Sequence, residues 1–149
     1  MDADFYELQK NIKDYITENY KPLASSLYNL SPLDKSIMSF PDIDRDRAKK
    51  ILYFDYDDYS FEVLTLESAL LTGYLDLYIT LRGSAPPQSM TEEISKYTTI
   101  FFKLIDDEKT LGGIVDEAVT EKINFYDHVE GNINYKAAKL KIKFSKEYN

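Results

Sequence analysis

The strict alternation around residues 73–82 restricts the fold more than any other feature of this chain. In "TGYLDLYITLRG", Leu75, Leu77, Ile79 and Leu81 interleave with Tyr74, Asp76, Tyr78, Thr80 and Arg82. A period of two sets these groups on opposite faces of a strand. One face is built for a core and the other is amphipathic. The same pattern returns near the C-terminus. "YKAAKLKIKF" puts Ala138, Leu140, Ile142 and Phe144 on one side, and Lys139, Lys141 and Lys143 on the other.

Between these strands, "IVDEAVTEKINFY" carries Val115, Val119, Ile123 and Phe125 on one face, interrupted by Glu117 and Glu121. Positions 115, 119 and 123 also fit a helix, being spaced by four. The β-branched content and the strand that follows favour a strand. "DHVEGNIN" joins the two, with Gly131-Asn132 as the turn, so the pair reads as a hairpin. Further upstream, "ILYFDYD" and "SFEVLTL" are rich in aromatic and branched residues, and "DYDDY" between them reads as a turn.

Helical periodicity occurs twice. Phe5, Leu8, Ile12, Tyr15 and Ile16 share a helical face. Asp4 and Glu7 have capping-box spacing, with Asp2 as the alternative cap, and Pro22 is expected to end this helix. The second stripe is Ile94, Tyr97, Phe101, Leu104 and Ile105, ending near Asp107. It follows the connector "RGSAPPQ", and Ser89 with Glu92 reads as its capping box. Residues 23–50 are less regular. Leu23, Leu27 and Leu30 fit one or two more helical turns, Ile37 to Phe40 fit a short strand, and "PDIDRDRAKK" reads as a solvated loop.

Two of the chain's five glycines are adjacent, Gly112 and Gly113. They lie several residues beyond the second helix, so a helix cap does not account for them. A tight reversal after Leu111, returning the chain to the sheet, does. The sum is one domain, 1–149, of α+β class: a largely antiparallel mixed sheet with two main helices packed on one face. A length of 149 residues with 44% hydrophobic and 14% aromatic content supports one such core.

Chemistry is harder to find. The chain has no cysteine, which excludes disulfides and thiolate sites. The single histidine, His128, falls beside Asp127 in the expected hairpin loop. Asp42, Asp44 and Asp46 imitate the start of a calcium loop, but Arg47 and Tyr53 stand where glycine and glutamate are required. "LGG" lacks the lysine of a phosphate cradle. Asp55, Asp57 and Asp58 offer at most a weak cation site. The expectation is therefore no catalytic, cofactor-binding or metal-binding residue, and no enzyme. No run is long enough for a membrane span, and no secretory signal is read at "MDADFYELQK". A net charge of −8 opposes a direct grip on nucleic acid.

What remains is surface. Thirteen tyrosines are a high count, and tyrosine is enriched at interfaces. If the last strand neighbours the best one, Tyr74, Asp76, Tyr78, Arg82, Lys139, Lys141 and Lys143 share one face. That face is the candidate oligomer or partner surface.

The order of elements and the phrase "KYTTIFFKLIDDEKTLGGIVDEAVTEKINF" resemble the tail terminator and neck proteins of long-tailed bacteriophages and prophages. The resemblance covers residues 73–144, and the N-terminal helix agrees in position. It implies a non-enzymatic tail-completion or head-tail joining subunit, with no catalytic residues to carry over. It further implies a ring, typically a hexamer, that caps the tail tube and meets head-neck proteins. The implied place is the virion tail or neck, assembled in the bacterial cytoplasm. Two other readings stand beside it: an acidic immunity-type module that masks a basic partner, and a metal-dependent enzyme using Asp55, Asp57 and Asp58.

Overall fold

The computed structural model describes residues 2–39 and 48–149. Among them the order is α1 (Phe5–Tyr28), β1 (Lys35–Ile37), β2 (Lys50–Val63), β3 (Ala69–Gly83), α2 (Pro87–Asp107), β4 (Glu117–Glu130) and β5 (Ile133–Tyr148). The strands form one sheet in the order β1-β2-β3-β5-β4. Only the β1–β2 pair is parallel. Both helices pack on one face of the sheet, which makes this an α+β fold.

Helix α1 starts as its sequence predicts. The Asp4 side chain accepts from the Glu7 N–H at 3.0 Å. Pro22, however, does not end the helix; it lies inside it. Pro22 and Glu18 are both solvent-exposed, so the carbonyl left without a donor at Glu18 faces water. The real stop is Asn29, left-handed at φ 52°, with its N–H bonded back to the Ser25 carbonyl at 3.1 Å and the Leu30 N–H to the Ala24 carbonyl at 3.0 Å. The five-to-one bond from a left-handed residue is the αL type of helix stop.

Helix α2 ends at Asp107, as its periodicity predicts, but Ser89 does not cap it. Pro86 occupies the cap and Pro87 the first turn, with no side-chain hydrogen bond. Proline's fixed φ and missing donor suit this place. Ser89 and Glu92 lie inside the helix.

Three further expectations are corrected. "DYDDY" is not a turn; it is the middle of the continuous strand β2, with a register shift between Asp57 and Tyr59. A bulge absorbs the extra residue that the sequence disguises as a reversal. The short strand near Ile37 runs over Lys35–Ile37 rather than Ile37 to Phe40, and Phe40 lies outside the described residues. So does most of "PDIDRDRAKK", including Asp42, Asp44 and Asp46. Finally, Val119 is on the wrong face. A register shift between Thr120 and Lys122 inverts the alternation of β4. Ala118 is therefore buried where Val119 was expected, and Val119 is exposed.

The core lies between sheet and helices. Leu71, Leu75, Leu77 and Ile79 of β3 meet Leu140, Ile142 and Phe144 of β5 beneath Ile12, Ile16, Ile100 and Phe101. Two helix tyrosines also fasten the lead-in to β1. Tyr20 Oη accepts from the Leu33 N–H at 2.9 Å, and Tyr97 Oη donates to the Ser31 carbonyl at 2.5 Å. Burial, with Glu93, Tyr20 and Asp34 nearby, pushes the Tyr97 hydroxyl up to about 12.

The reversal after α2 answers the question of the paired glycines. Leu111, Gly112 and Gly113 are all left-handed, at φ 50°, 69° and 89°. This run turns Leu111 and Val115 into the core. Gly112 also lies under the Tyr15 ring of α1, where a Cβ would come within 2.9 Å.

Candidate interaction surface

The register brings all seven predicted surface residues onto one sheet face. Strand β3 lies between β2 and β5, so Tyr74 pairs with Lys143, Asp76 with Lys141, Tyr78 with Lys139, and Arg82 with Tyr135. Directly opposed residues share a face. This is the face turned away from the helices, because the intervening Leu75, Leu77 and Ile79 are buried beneath them.

Residues that the sequence reading missed complete the face. Asp55 and Asp57 of β2 pair with Asp76 and Tyr74. Lys122 of β4 pairs with Lys141, and Asn124 with Lys139. One row of the face is therefore graded: Asp55 and Asp76 on β2 and β3, then Lys141 and Lys122 on β5 and β4. Tyr53 and Tyr78 stack at 4.5 Å and 7°. Lys141 Nζ sits 5.0 Å over the Tyr74 ring, a cation–π contact.

Asp76 is the electrostatic outlier. Its Oδ1 is buried and has no hydrogen-bond partner among the described residues. Burial pushes its carboxyl up from the ordinary value; Lys139 pulls it down, and Asp57 and Asp55 push it up again. Lys139 responds in turn. Burial works against its ammonium, but Tyr78, Asp76 and Tyr126 outweigh that and hold its pKa above the usual range.

The second notable surface is apolar and split between the two hairpin ends. The β2–β3 end carries Phe61, Val63, Leu64 and Leu66, all exposed, with Val63 at 77%. The β4–β5 end carries Phe125, Tyr126, Val129 and Ile133, with Val129 at 64%. Ala69 of β3 pairs with Tyr148, while Gly83 pairs with Asn134, so the two turns lie at opposite ends of the sheet. The 15 residues of β3 separate them by about 50 Å at ~3.3 Å per residue. Phe125 also lines a groove of about 310 Å³ between α2 and β4, with Phe102 and Ile123.

Asp55, Asp57 and Asp58 do not converge. Asp58 falls at the bulge, where its N–H donates to Asp57 Oδ1 at 2.9 Å. Among the described residues no group of three His, Cys, Asp or Glu is arranged to hold a metal ion. His128 is exposed on β4, 5.8 Å from the Tyr135 ring, rather than in a loop. No described helix is long and apolar enough to cross a membrane. No protein-family model and no curated protein matches the chain.

Proposed function

We propose that this protein is a structural assembly subunit, a ring-forming tail terminator or neck component of a long-tailed phage or prophage. The observation that supports it best is the pair of unlike apolar hairpin ends, about 50 Å apart at the strand spacing used above. Isolated exposed apolar residues are ordinary, but several large ones gathered near one hairpin end, as at each end here, suit a contact site. Two different patches at opposite ends suit heterologous, head-to-tail contacts, and those close into a ring when the rotation per subunit divides a full turn. The resemblance over residues 73–144 supplies the setting: the end of a tail tube, facing head-neck proteins. A net charge of −8 is compatible with duplex DNA passing such a ring without sticking.

Native mass spectrometry over a concentration series, with negative-stain imaging, tests this reading. The expected result is a closed ring of several copies. Leu66→Asp or Val129→Asp should dissolve the ring while leaving the far-ultraviolet circular dichroism unchanged. A chain that never exceeds a dimer, with neither substitution altering its assembly, refutes the reading. If that monomer or dimer instead bound a basic protein tightly and in a salt-sensitive way, the acidic masking module would take its place.

A further inference from the structure

One row of the open sheet face carries an unusual arrangement of charge. Across four adjacent strands, Asp55 pairs with Asp76, Asp76 with Lys141, and Lys141 with Lys122. The row reads minus, minus, plus, plus. Like charges directly opposite each other on neighbouring strands are unfavourable, and this row contains two such pairs. Among the described residues none of the four joins an ion pair. Lys141 lies over Tyr74 instead, and Asp76 Oδ1 stays buried without a donor. Within one chain, the two like-charge pairs are offset only in part by Lys141 opposite Asp76 and by Lys139 nearby.

We infer that this face docks a second copy of the same chain, sheet against sheet, about a two-fold axis parallel to the strands and midway between β3 and β5. Such an axis keeps every residue at its own height and exchanges the two sides of the sheet. The row minus, minus, plus, plus then faces plus, plus, minus, minus. Asp76 meets Lys141 of the other copy, and Asp55 meets Lys122. Both like-charge pairs gain opposite neighbours. A two-fold axis across the strands fails this test, since it stacks β2 on β2 and acid on acid. The row is about 14 Å wide at ~4.8 Å per strand, and sheets stacked ~10 Å apart leave room for the lysine side chains between them. In the neighbouring row, Asp57, Tyr74, Lys143 and Val119 pair in turn, so Tyr74 faces Lys143 of the other copy and Asp57 faces Val119. No oily patch is needed, so the contact is polar and its strength depends on salt.

This goes beyond the ring reading. A two-fold contact is isologous and uses the sheet face, whereas ring contacts are heterologous and use the hairpin ends.

Sedimentation velocity at low and high ionic strength tests the pairing. The expected result is a dimer at low salt that dissociates at high salt. Two charge-swapped variants sharpen it: Asp55→Lys with Asp76→Lys, and Lys122→Asp with Lys141→Asp. Each alone should lose the salt-sensitive pairing, and an equal mixture should regain it between unlike copies. If either swap unfolds the chain, the neutral variants Asp76→Asn and Lys141→Gln should each weaken the wild-type dimer several-fold. A wild type that is monomeric at both salts overturns the inference. So does a pairing that survives both swaps, or folded variants that stay apart when mixed. A ring that falls to Leu66→Asp, but whose mass is unchanged by salt and by both swaps, would overturn the pairing and leave the ring reading standing.

Discussion

Gly73→Ala should destabilise the protein, although alanine normally improves a strand. Gly73 faces the core between Leu71 and Leu75, and its cross-strand partners are Tyr59 on β2 and Phe144 on β5. Both rings lean into the space that a side chain would occupy, 6.0 Å apart and edge-on at 74°. A Cβ at this position would lie 2.5 Å from Phe144 Cζ and 2.7 Å from Tyr59 Cδ1 and Cε1. Carbon atoms prefer about 3.5–4.0 Å, so the overlap is roughly 1 Å on two sides. Neither ring retreats easily. Phe144 is fully buried, and the Tyr59 hydroxyl accepts from Gln9 Nε2 at 2.8 Å. Overpacking of this kind costs about 1–3 kcal/mol. Replacing a strand glycine recovers about 0.5–1 kcal/mol of backbone entropy. The net loss is about 0–2.5 kcal/mol, centred on ~1 kcal/mol, which is a fall in Tm of about 2–4 °C for a chain of this size. Differential scanning calorimetry reads it directly. Gly83→Ala is the control, since a Cβ there meets nothing within 4 Å. In a Phe144→Leu background the Gly73→Ala loss should shrink, because the clashing Cζ is gone. A Gly73→Ala protein that melts at or above the wild type refutes the reasoning.

Two other perturbations carry definite signs. Because burial raises the Asp76 carboxyl above its ordinary 3.8, the folded state holds that proton more tightly than the unfolded one. Stability from this group is therefore present at low pH and lost as pH rises from the unfolded value through the folded one. Asp76→Asn should stabilise the monomer at neutral pH, by less than about 1 kcal/mol because the group is partly solvated. That advantage should vanish near pH 3 in urea titrations at high salt. Gly112→Ala combines a left-handed φ with contact against the Tyr15 ring, and should cost about 1–3 kcal/mol in the same titration.

The strands that alternate without interruption were legible in the sequence. Leu75 to Leu81 and Ala138 to Phe144 predicted their burial residue by residue, and the pairing of Tyr74 with Lys143 followed once β3 and β5 were neighbours. What escaped shares one cause: a residue inserted into a ladder. The shift at Asp57/Tyr59 made a long strand look like two with a turn, which hid Asp55 and Asp57 from the surface they help to form. The shift at Thr120/Lys122 reversed the face of Val119 and hid Lys122. Bulges conserve composition and propensity while breaking parity, so no period-two count detects them. Pro22 and Ser89 misled for another reason. A local rule predicted a stop and a cap, but Asn29, seven residues beyond Pro22, and the Pro86-Pro87 pair decided the boundaries. The apolar hairpin ends carried no signal of exposure, since Phe61 and Val63 look like core residues until the sheet is seen to outrun its helices.

The two tyrosine anchors at residues 31–33 have a mechanical consequence. The strand at the sheet's margin is tethered through its approach segment to both helices, by Tyr20 on one and Tyr97 on the other. Helix α2 rests mainly over the opposite half of the sheet, against β3, β5 and β4. A force that lifts α2 there also slackens the leash on β1, so the two margins of the molecule loosen together.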